Sequence, residues 1–409
     1  MGSLLASVSS VNQHRFKTLH RFKTREIEKG QCAHWMVNAL LPLVCLVAAA
    51  APPRYAVEVN RPGPDGMNVL FDSVHHPETT DFAINNGPSH VLLLDGTDAL
   101  VIRSCVHRHG CSTPGNPDVI TLVKRTAKGP IDLSNLQGQF EKNSLDKIIV
   151  RPQGADEQCG VQDPRITVDR KTGRYLMAYT AFGDGTAHPN ICNATACGPT
   201  WQQCSHCCKS VKTKVVMTKT PEVASSWVRV NRTGDDGFDA KSTATLVRDT
   251  PPHFQWTGTG TVRSWQSEDL FHWTAAEVAI AGRPGSFDPG YCEAGAPPVQ
   301  LADGNYFGTY DTIISGAKRH GWAAGWVVLN GSNPREVLQR GSEPLVEPTR
   351  PWELQTPPQW NWTQAVQEGG VPMIGATNGL MPLGGDVFLA WACASDSVVE
   401  AFVVRVTKW

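Results

Sequence analysis

Two carboxylates in this chain have surroundings that suit acid and base chemistry. Asp163 precedes Pro164 and Arg165 at the start of an apolar run, so proline restricts the backbone and arginine supplies a nearby positive charge. Glu293 lies among small residues and prolines that let a ligand approach the backbone closely. Glycoside cleavage commonly uses two carboxyl groups that flank the scissile bond. The pair points to that chemistry, although each residue taken alone is also typical of a turn carboxylate.

Such a reaction sets physical requirements on both groups. A general acid at Asp163 needs a raised pKa or a proton relay. An inverting enzyme holds its two carboxyl groups about 6.5 to 9.5 Å apart, because a water molecule must fit between one of them and the sugar.

The charge balance and the missing motifs disfavour several other functions. Lys plus Arg number 37 against 38 Asp plus Glu, so the chain has no electrostatic footprint for nucleic acid or anionic lipid. The sequence has no G-x-x-x-x-G-K-[ST] loop, no H-E-x-x-H and no G-x-S-x-G elbow. No cofactor or metal is therefore expected, and the expected partner is an oligosaccharide or polysaccharide.

The elements that must position these residues are short strands. Apolar runs lie between clusters of Gly, Pro, Asp and Asn. The runs are 91–94, 99–102, 175–179, 214–217, 306–310, 325–329, 387–391 and 401–406. Several follow Asp-Gly or Thr-Gly turns, which favour hairpins, and no long stretch has the periodicity of a helix. The chain is predicted to be all-β.

A loose repeat groups the strands into five units. Each unit opens with a polar or proline-containing segment, at 86–88, 163–165, 241–243, 293–295 and 375–377. Units of about 70 residues exceed the roughly 40 to 50 of a usual blade, so long loops are expected. A propeller brings the first strand of every unit to a common axis. The pattern predicts a five-bladed β-propeller whose unit openings, including Asn86, converge on one pocket.

Cations and aromatic residues near this pocket suggest what it binds. Lys241 lies at a unit opening and Arg103 in an inner strand, where each is expected to contact sugar hydroxyls or phosphate. Solvated surface positions are the alternative for both. Tryptophans that could stack on sugar rings or pack between blades are Trp256, Trp265, Trp322, Trp360 and Trp362.

Residues 1–53 are predicted to be a basic leader with a signal peptide or signal anchor, followed by the propeller domain at 54–409. An almost uncharged run from Trp35 to Ala51 is about 17 residues long, short of the roughly 20 that a membrane span needs. A start at Met36 and an organelle transit peptide are alternatives. Secretion or a place in the secretory lumen, including a signal-anchored Golgi form, is expected. Membrane contact is expected only if the leader is retained as an anchor.

The cysteines agree with an oxidising compartment. Twelve are present, and removing Cys32 and Cys45 with the leader leaves ten, an even number consistent with disulfides. An insert at 184–209 is predicted to be a disulfide-stapled loop, with a zinc site as the alternative. Candidate glycan acceptors are Asn193, Asn231, Asn330 and Asn361.

Four segments together resemble glycoside hydrolase family 130, the β-mannoside hydrolases and phosphorylases. Segment 162–185, QDPRITVDRKTGRYLMAYTAFGDG, is similar to the family's second-blade signature, E-D-P-R-I followed by a Y-x-x-Y-T-A strand. Segment 241–273 resembles the third blade, and 291–298 (YCEAGAPP) is similar to E-A-G-P-P-P. Segment 335–345 resembles the R-x-x-E-P-L linker into the last blade. The resemblance covers residues 82–409 in the family's order.

That resemblance implies a five-bladed propeller that cleaves β-mannosidic or related linkages, and it assigns roles to particular residues. Asp163 is the expected proton donor, acting directly or through a sugar hydroxyl. Arg103, Arg165 and Lys241 are expected to line the pocket. In a hydrolytic member Glu293 is the expected base, activating water on the opposite face of the sugar.

Two departures from the family pattern bear on the reaction. Gln162 stands where the family usually has Glu, which changes the charge beside Asp163. Tyr310 and Asp311, both predicted to contact substrate, occupy the place of a Tyr-His pair whose imidazole helps phosphorolytic members to hold phosphate. Aspartate there would repel phosphate, and a sugar phosphate made outside the cell is hard to recover. Inverting hydrolysis is therefore favoured over phosphorolysis.

Three alternatives stay open from the sequence. The first is β-mannoside phosphorolysis. The second is another five-bladed glycosidase acting on arabinan, xylan or fructan, which a base carboxylate in the first unit would favour, but that unit offers Asn86 instead. The third is a non-catalytic carbohydrate-binding propeller, whose pocket binds a glycan without turnover.

Overall fold

Short apolar strands joined by tight turns fold the chain into five antiparallel sheets. The computed structural model describes residues 54–61, 68–107, 112–183, 210–231, 241–316, 319–354 and 374–409. The predicted leader at 1–53 and the cysteine-rich insert at 184–209 lie outside the described residues and stay predictions. Among the described residues, no helix is long and apolar enough to cross a membrane.

The sheets follow one another along the chain, except that β1 (Tyr55–Asn60) and β2 (Val69–Phe71) join the last sheet. The first sheet contains β3 (Ile84–Leu92), β4 (Asp98–Cys105), β5 (Val119–Lys124) and β6 (Ile148–Val150). The second contains β7 (Gly160–Asp169), β8 (Arg174–Gly183), β9 (Ser210–Thr218) and β10 (Val228–Val230). The third contains β11 (Thr243–Leu246), β12 (His253–Thr257), β13 (Val262–Ser267) and β14 (Thr274–Ile280).

The two remaining sheets have five strands each. The fourth contains β15 (Cys292–Ala294), β16 (Val299–Gln300), β17 (Tyr306–Gly316), β18 (Arg319–Leu329) and β19 (Val337–Arg340). The fifth contains β20 (Ile374–Gly384), β21 (Val387–Ala394) and β22 (Val398–Lys408), with β1 and β2 paired to β22. The helices of the described part are single 3-10 turns at Pro77–Thr79, Gln137–Gln139, Leu145–Lys147, Ala155–Glu157 and Ala224–Ser226.

The innermost strands of the sheets are β3, β7, β11, β15 and β20, and they pack beside one another around one axis. They contain or directly follow the predicted unit openings: segment 163–165 lies in β7, and segment 241–243 leads into β11. Each sheet is one blade, so the predicted all-β, five-bladed propeller is confirmed. Polar residues near the starts of the inner strands consequently face a shared space.

The last blade combines strands from distant parts of the chain. β1 pairs antiparallel with β22 in a continuous register, from Tyr55 opposite Lys408 to Asn60 opposite Val403. The early strand is therefore the outermost strand of a blade whose inner strands come from the end of the sequence. This pairing closes the ring through backbone hydrogen bonds and covers a sheet edge.

Apolar side chains are buried between adjacent blades. Val101, Val161 and Met177 lie in one cluster between the first and second blades, and all three are fully buried. Between the fifth and first blades, Trp391 packs edge-on against Phe140 with ring centroids 5.4 Å apart. Because such interiors are closely packed, each inner strand is held at a fixed position relative to its neighbours.

Candidate active site

A β-bulge sets the position of Asp163. The pairing of β7 with β8 shifts register between Gln162 and Arg165, and Asp163 within this bulge has a φ of 48°. Positive φ is uncommon for a residue other than glycine, and such residues cluster at functional sites. Asp163 is only 6% exposed, and a Cβ at Gly87 in β3 would come within 3.3 Å of its Cα. The bulge thus turns this carboxylate toward the axis against a close backbone neighbour.

Three cations surround the Asp163 carboxyl group. Arg103 Nη1 donates to Asp163 Oδ1 at 3.4 Å, and Lys241 and Arg165 add positive charge nearby. Burial acts to raise the pKa of Asp163, but Lys241, Arg103 and Arg165 together outweigh it and lower that pKa below its ordinary value. Asp163 is therefore a carboxylate in the ligand-free protein. Protonation of a leaving group from this position requires a relay or a change of charge when substrate binds.

Asp396 from the fifth blade contacts the same edge of Arg103 and titrates differently. Its Oδ1 lies 3.8 Å from Arg103 Nη1 and accepts a hydrogen bond from Asn86 Nδ2. Burial raises the pKa of Asp396 to about 6, with Arg103 opposing and Asp163 assisting the change. The site thus holds a carboxyl group that gains a proton in mildly acidic solution.

Both carboxylate oxygens of Glu293 accept hydrogen bonds. Ser242 Oγ donates to Oε1, Tyr291 OH donates to Oε2 at 2.8 Å, and Lys241 Nζ lies 3.7 Å from Oε1. The Tyr291 ring is itself packed edge-on against Trp322, with centroids 5.0 Å apart. Glu293 raises the pKa of Lys241, so Lys241 carries its positive charge at neutral pH. The contacts fix one orientation of the Glu293 carboxylate.

Asp311 lies beside Glu293 because the two residues are paired across β15 and β17. Burial, followed by the charge of Glu293, raises the pKa of Asp311 to about 7. Thr377 donates to Asp311 Oδ1 from its hydroxyl at 3.0 Å and from its backbone N–H at 3.3 Å. Two adjacent carboxyl groups therefore face the axis from the fourth blade, and Asp311 holds its proton up to near-neutral pH.

Arg165 joins two blades behind the site. The sequence predicts a substrate contact for it, whereas its guanidinium donates to the backbone carbonyls of Asp163 at 2.9 Å, Ala294 at 2.5 Å and Gly295 at 2.8 Å. The residue is 1% exposed. Arg165 consequently ties the bulge of β7 to the segment that carries Glu293, and it is too buried to make the predicted substrate contact.

Tyr310 does not face the site, which corrects the substrate contact predicted for it. Side chains alternate along β17, so Asp311 faces the axis while Tyr310 lies in the core between the third and fourth blades. Its hydroxyl donates to Asp288 Oδ2 at 2.6 Å and accepts from Arg340 Nε at 3.0 Å. The side chain is fully buried, so Tyr310 supports the contact between blades.

The structure gathers most of the predicted site residues around one space, namely Asn86, Arg103, Asp163, Lys241, Glu293 and Asp311. Sequence reasoning missed Ser242, Tyr291 and Asp396. The first two adjoin Lys241 and Glu293, so the predicted motifs were a signal for them. Asp396 lies in a turn with a φ of 52°, and its signal was the polar Ser-Asp-Ser segment after a strand. Among the described residues, no cluster of His, Cys, Asp and Glu is arranged to hold a metal ion.

Comparison with known sequences connects this site to a family. The model of a family described as β-1,4-mannooligosaccharide phosphorylase matches residues 120–355. A curated 1,2-β-oligomannan phosphorylase from Thermoanaerobacter sp. (strain X514) is 24% identical over 210 residues. That alignment covers 51% of this chain and 60% of the relative, which is less than two thirds of the relative's length.

Solved structures share the propeller fold. A β-1,2-mannobiose phosphorylase from Listeria innocua is similar with a TM-score of 0.57 and 12% identity, over 85% of this chain and 96% of that one. A second similar structure comes from work on family 130, a family of mannoside phosphorylases that contains hydrolases targeting β-1,2 mannosidic linkages in Candida mannan. It has a TM-score of 0.58 and 17% identity, over 87% of this chain and 94% of that one. Because the family model matches more than half of the sequence, the chain belongs to glycoside hydrolase family 130, as its motifs predict.

Proposed function

We propose that this protein hydrolyses β-mannosidic linkages with inversion, using Asp163 on the side of the leaving group and Glu293 to activate water. The observation that carries the proposal is the placement of both carboxylates around one cation. Lys241 Nζ lies 3.7 Å from Glu293 Oε1, and its charge lowers the pKa of Asp163. Membership of family 130 supports a β-mannoside as the substrate.

The proton supply follows from the charges around Asp163. Since its pKa is lowered in the ligand-free protein, direct donation at neutral pH is disfavoured. When substrate binding returns a proton to Asp163, a substrate hydroxyl held between Asp163 and the glycosidic oxygen can pass its own proton to the leaving group while it takes the proton of Asp163. Asp396, whose pKa is about 6, contacts the same Nη1 atom of Arg103 as Asp163 and can hold a proton in mildly acidic solution. We therefore assign Asp163 the role of proton donor acting through that hydroxyl.

Hydrolysis is favoured over phosphorolysis by the fourth blade. Asp311 and Glu293 are paired neighbours, so an incoming phosphate dianion would meet at least one negative charge there. A water molecule carries no such penalty. Phosphorolysis is the second candidate, because the family description and the Thermoanaerobacter relative are phosphorylases and because Arg103 and Lys241 supply positive charge at the site.

The decisive experiment measures products from β-1,2- and β-1,4-linked mannooligosaccharides incubated with the full chain. Free mannose formed without phosphate, and lost in Asp163→Asn, is the expected result. Mannose 1-phosphate formed only when phosphate is added would replace hydrolysis by phosphorolysis. Asp72→Asn is the matched control, because Asp72 is 2% exposed in a turn near the start of the described chain, and its activity should be unchanged.

Two further outcomes separate the remaining alternatives. Release of arabinose, xylose or fructose from the corresponding polysaccharides would identify another glycosidase. Binding of mannan with no turnover, equal in the wild type and Asp163→Asn, would identify a carbohydrate-binding module.

We also propose that the protein resides in the secretory pathway. The even number of cysteines that follow the leader suits an oxidising compartment, and of the described cysteines Cys292 and Cys393 are free and buried. Expression of the full chain in a eukaryotic cell should give a product whose mobility shifts on deglycosylation. Recovery of an unglycosylated cytosolic product would contradict this location.

A further inference from the structure

A buried carboxylate binds Arg103 through a different edge of the guanidinium from the one that contacts Asp163. Asp118 is fully buried, and its Oδ1 lies 3.2 Å from Arg103 Nε. Its Oδ2 accepts hydrogen bonds from Ser112 Oγ at 2.6 Å and from Gln162 Nε2 at 2.7 Å. Arg103 Nη2 also donates to Ser112 Oγ at 3.1 Å. Asp118 and Ser112 therefore fix the guanidinium whose Nη1 contacts Asp163.

Gln162 connects this network to the bulge, because it directly precedes Asp163. Its Nε2 donates to Asp118 Oδ2 and, at 2.9 Å, to Ser112 Oγ. A carboxylate at position 162, which the family usually carries, would meet Asp118 at hydrogen-bond distance. Two carboxylates at that separation cannot both ionise. The chain therefore places one buried carboxylate beside Arg103, at position 118, and an amide at position 162.

We propose that Asp118 and Gln162 form a positioning pair that holds Arg103 against Asp163, with the charge of Asp118 replacing a carboxylate at position 162. This inference rests on the proposed function, because it concerns the residue that handles the proton in that reaction. Both members are buried, at 0% and 8% exposure, so they act through Arg103. Arg103 interacts with Asp118 as well as with Asp163. The Asp118 carboxylate therefore reduces the stabilisation that Arg103 gives to ionised Asp163.

The charges around this pair come from several blades. The titratable or charged groups that act on Arg103 or Asp163 are Asp118, Arg165, Lys241, Tyr291, Cys393 and Asp396. All except Asp118 are retained when positions 118 and 162 are changed. Differences in activity or stability among variants at positions 118 and 162 therefore report on Asp118 and Gln162 themselves.

The test is a double-mutant cycle in the full chain with Asp118→Asn, Gln162→Glu and both together. In D118N the Asp118 carboxylate is removed and Arg103 pairs only with Asp163 and Asp396, so the pKa of Asp163 should fall further. We expect kcat/KM to drop roughly tenfold to a hundredfold through kcat, because the reacting groups are misplaced. The basic limb of the pH profile of kcat/KM should also move to lower pH. The double variant restores a carboxylate beside Arg103, and the limb should return toward that of the wild type.

Gln162→Glu alone should lower Tm, and the deficit should grow as pH rises above about 4, where a free glutamate ionises but the crowded pair resists ionisation. Adding D118N should remove most of that deficit. The two changes are thus expected to be strongly non-additive, because their side chains share a hydrogen bond.

Gln139→Glu is the control, since Gln139 is also buried, at 5% exposure, but hydrogen-bonds Asp132 and Asn135 in an outer loop of the first blade. It should lose stability without moving the basic limb. Additive Tm changes in the cycle, or an identical basic limb in D118N and the wild type, would overturn the proposal. The Tm cycle needs no substrate, so an inactive wild type with coupled Tm values counts against the proposed function alone.

Discussion

Single residues in this site are distinguished by the charges that face them. Asp163 and Asp311 are both buried near the axis, yet their pKa values move in opposite directions. Burial is outweighed at Asp163 by Lys241, Arg103 and Arg165, whereas at Asp311 it is reinforced by Glu293. The same residue type is therefore ionised in one position and holds a proton up to near-neutral pH in the other.

Asp311 should make the stability of the protein fall between about pH 4 and pH 7. Its pKa is raised to about 7 from an ordinary value of 3.8, so within this window the folded state binds a proton that the unfolded state has released. Stability then falls as pH rises. Because a tenfold difference in proton affinity corresponds to about 1.4 kcal/mol, the loss is on the order of 4 kcal/mol. Urea unfolding at several pH values should show this slope, and Asp311→Asn should flatten it.

Asp288→Asn provides the comparison of opposite sign. The pKa of Asp288 is lowered because Arg283, Tyr310 and Arg340 together outweigh the effect of burial, so its contribution is lost only as pH falls below about 4. The slope between pH 4 and 7 should persist in this variant. An unchanged slope in Asp311→Asn would assign the pH dependence to another group.

Tyr310→Phe tests the corrected placement of that residue. Loss of the hydroxyl leaves Asp288 and Arg340 each without one buried hydrogen bond, so we expect the free energy of unfolding to drop by about 1–3 kcal/mol. KM should not change, because the ring lies between blades. Tyr306→Phe, in the same strand and cluster, is the matched control with little expected effect. A raised KM in Tyr310→Phe would restore the predicted substrate contact.

The sequence located the residues that lie in recognisable motifs and missed those that come from elsewhere in the chain. Asp163 and Glu293 were predictable because proline, arginine and small residues flank them. Asp118 follows Pro117 and Asp396 lies between two serines, but neither belongs to a family-like motif, and only the packing of blades brings both to Arg103. Tyr310 was misplaced because a strand turns consecutive side chains to opposite faces, and the motif did not say which face is inward.

At the scale of elements, irregularities in the inner strands build the site. Register shifts occur in β3 between Asn86 and Ser89, in β7 between Gln162 and Arg165, and in β20 between Gly375 and Gly379. A bulge bends a strand and re-aims a side chain, so the three blades point polar groups at the axis. The apolar runs predicted the strands themselves, since 175–179 and 401–406 fall within β8 and β22. The bulges were not predictable, because they depend on how neighbouring blades pack.

Arg165→Lys tests whether the link between β7 and the fourth blade positions the carboxylates. Lysine offers one ammonium group in place of a planar fork that donates to the carbonyls of Asp163, Ala294 and Gly295. We expect kcat to fall roughly tenfold to a hundredfold, with a loss of about 1–3 kcal/mol in the free energy of unfolding.

Arg125→Lys is the matched control for that change. Arg125 also makes three hydrogen bonds, to Gly129, Pro130 and Gln139, but these lie in an outer loop of the first blade. It should lose stability while kcat stays at the wild-type value. Equal kcat values for both variants would show that Arg165 serves stability alone.

For the molecule as a whole, closure of the ring depends on the strand that joins the last blade from the start of the described chain. β1 ends at Asn60, and Arg61 follows it into a buried group of charges. Arg61 is ion-paired with Glu353 and lies 3.6 Å from Glu400 Oε1, and both carboxylates are 0% exposed. Trp352 Nε1 also donates to Glu400 at 2.9 Å. The closing strand is thus fastened by charge as well as by the backbone register.

Arg61→Met should destabilise the ring by about 3–5 kcal/mol, because removing one partner leaves buried carboxylates uncompensated. Burial already raises the pKa of Glu400, and Arg61 opposes that change, so the variant should hold a proton there to higher pH. Its deficit relative to the wild type therefore grows as pH rises. Urea unfolding at pH 5 and pH 8 measures both effects, with the larger loss expected at pH 8.

Two further variants test whether this loss comes from the buried charges of Arg61, Glu353 and Glu400. Arg61→Met combined with Glu400→Gln removes one of the uncompensated charges, so part of the stability should return and the difference between pH 5 and pH 8 should shrink. Arg54→Met changes an exposed arginine just before the same strand and should be nearly neutral. If Arg61→Met lost no more stability than Arg54→Met, closure of the propeller would rest on the pairing of β1 with β22 and on the apolar contacts of the last blade.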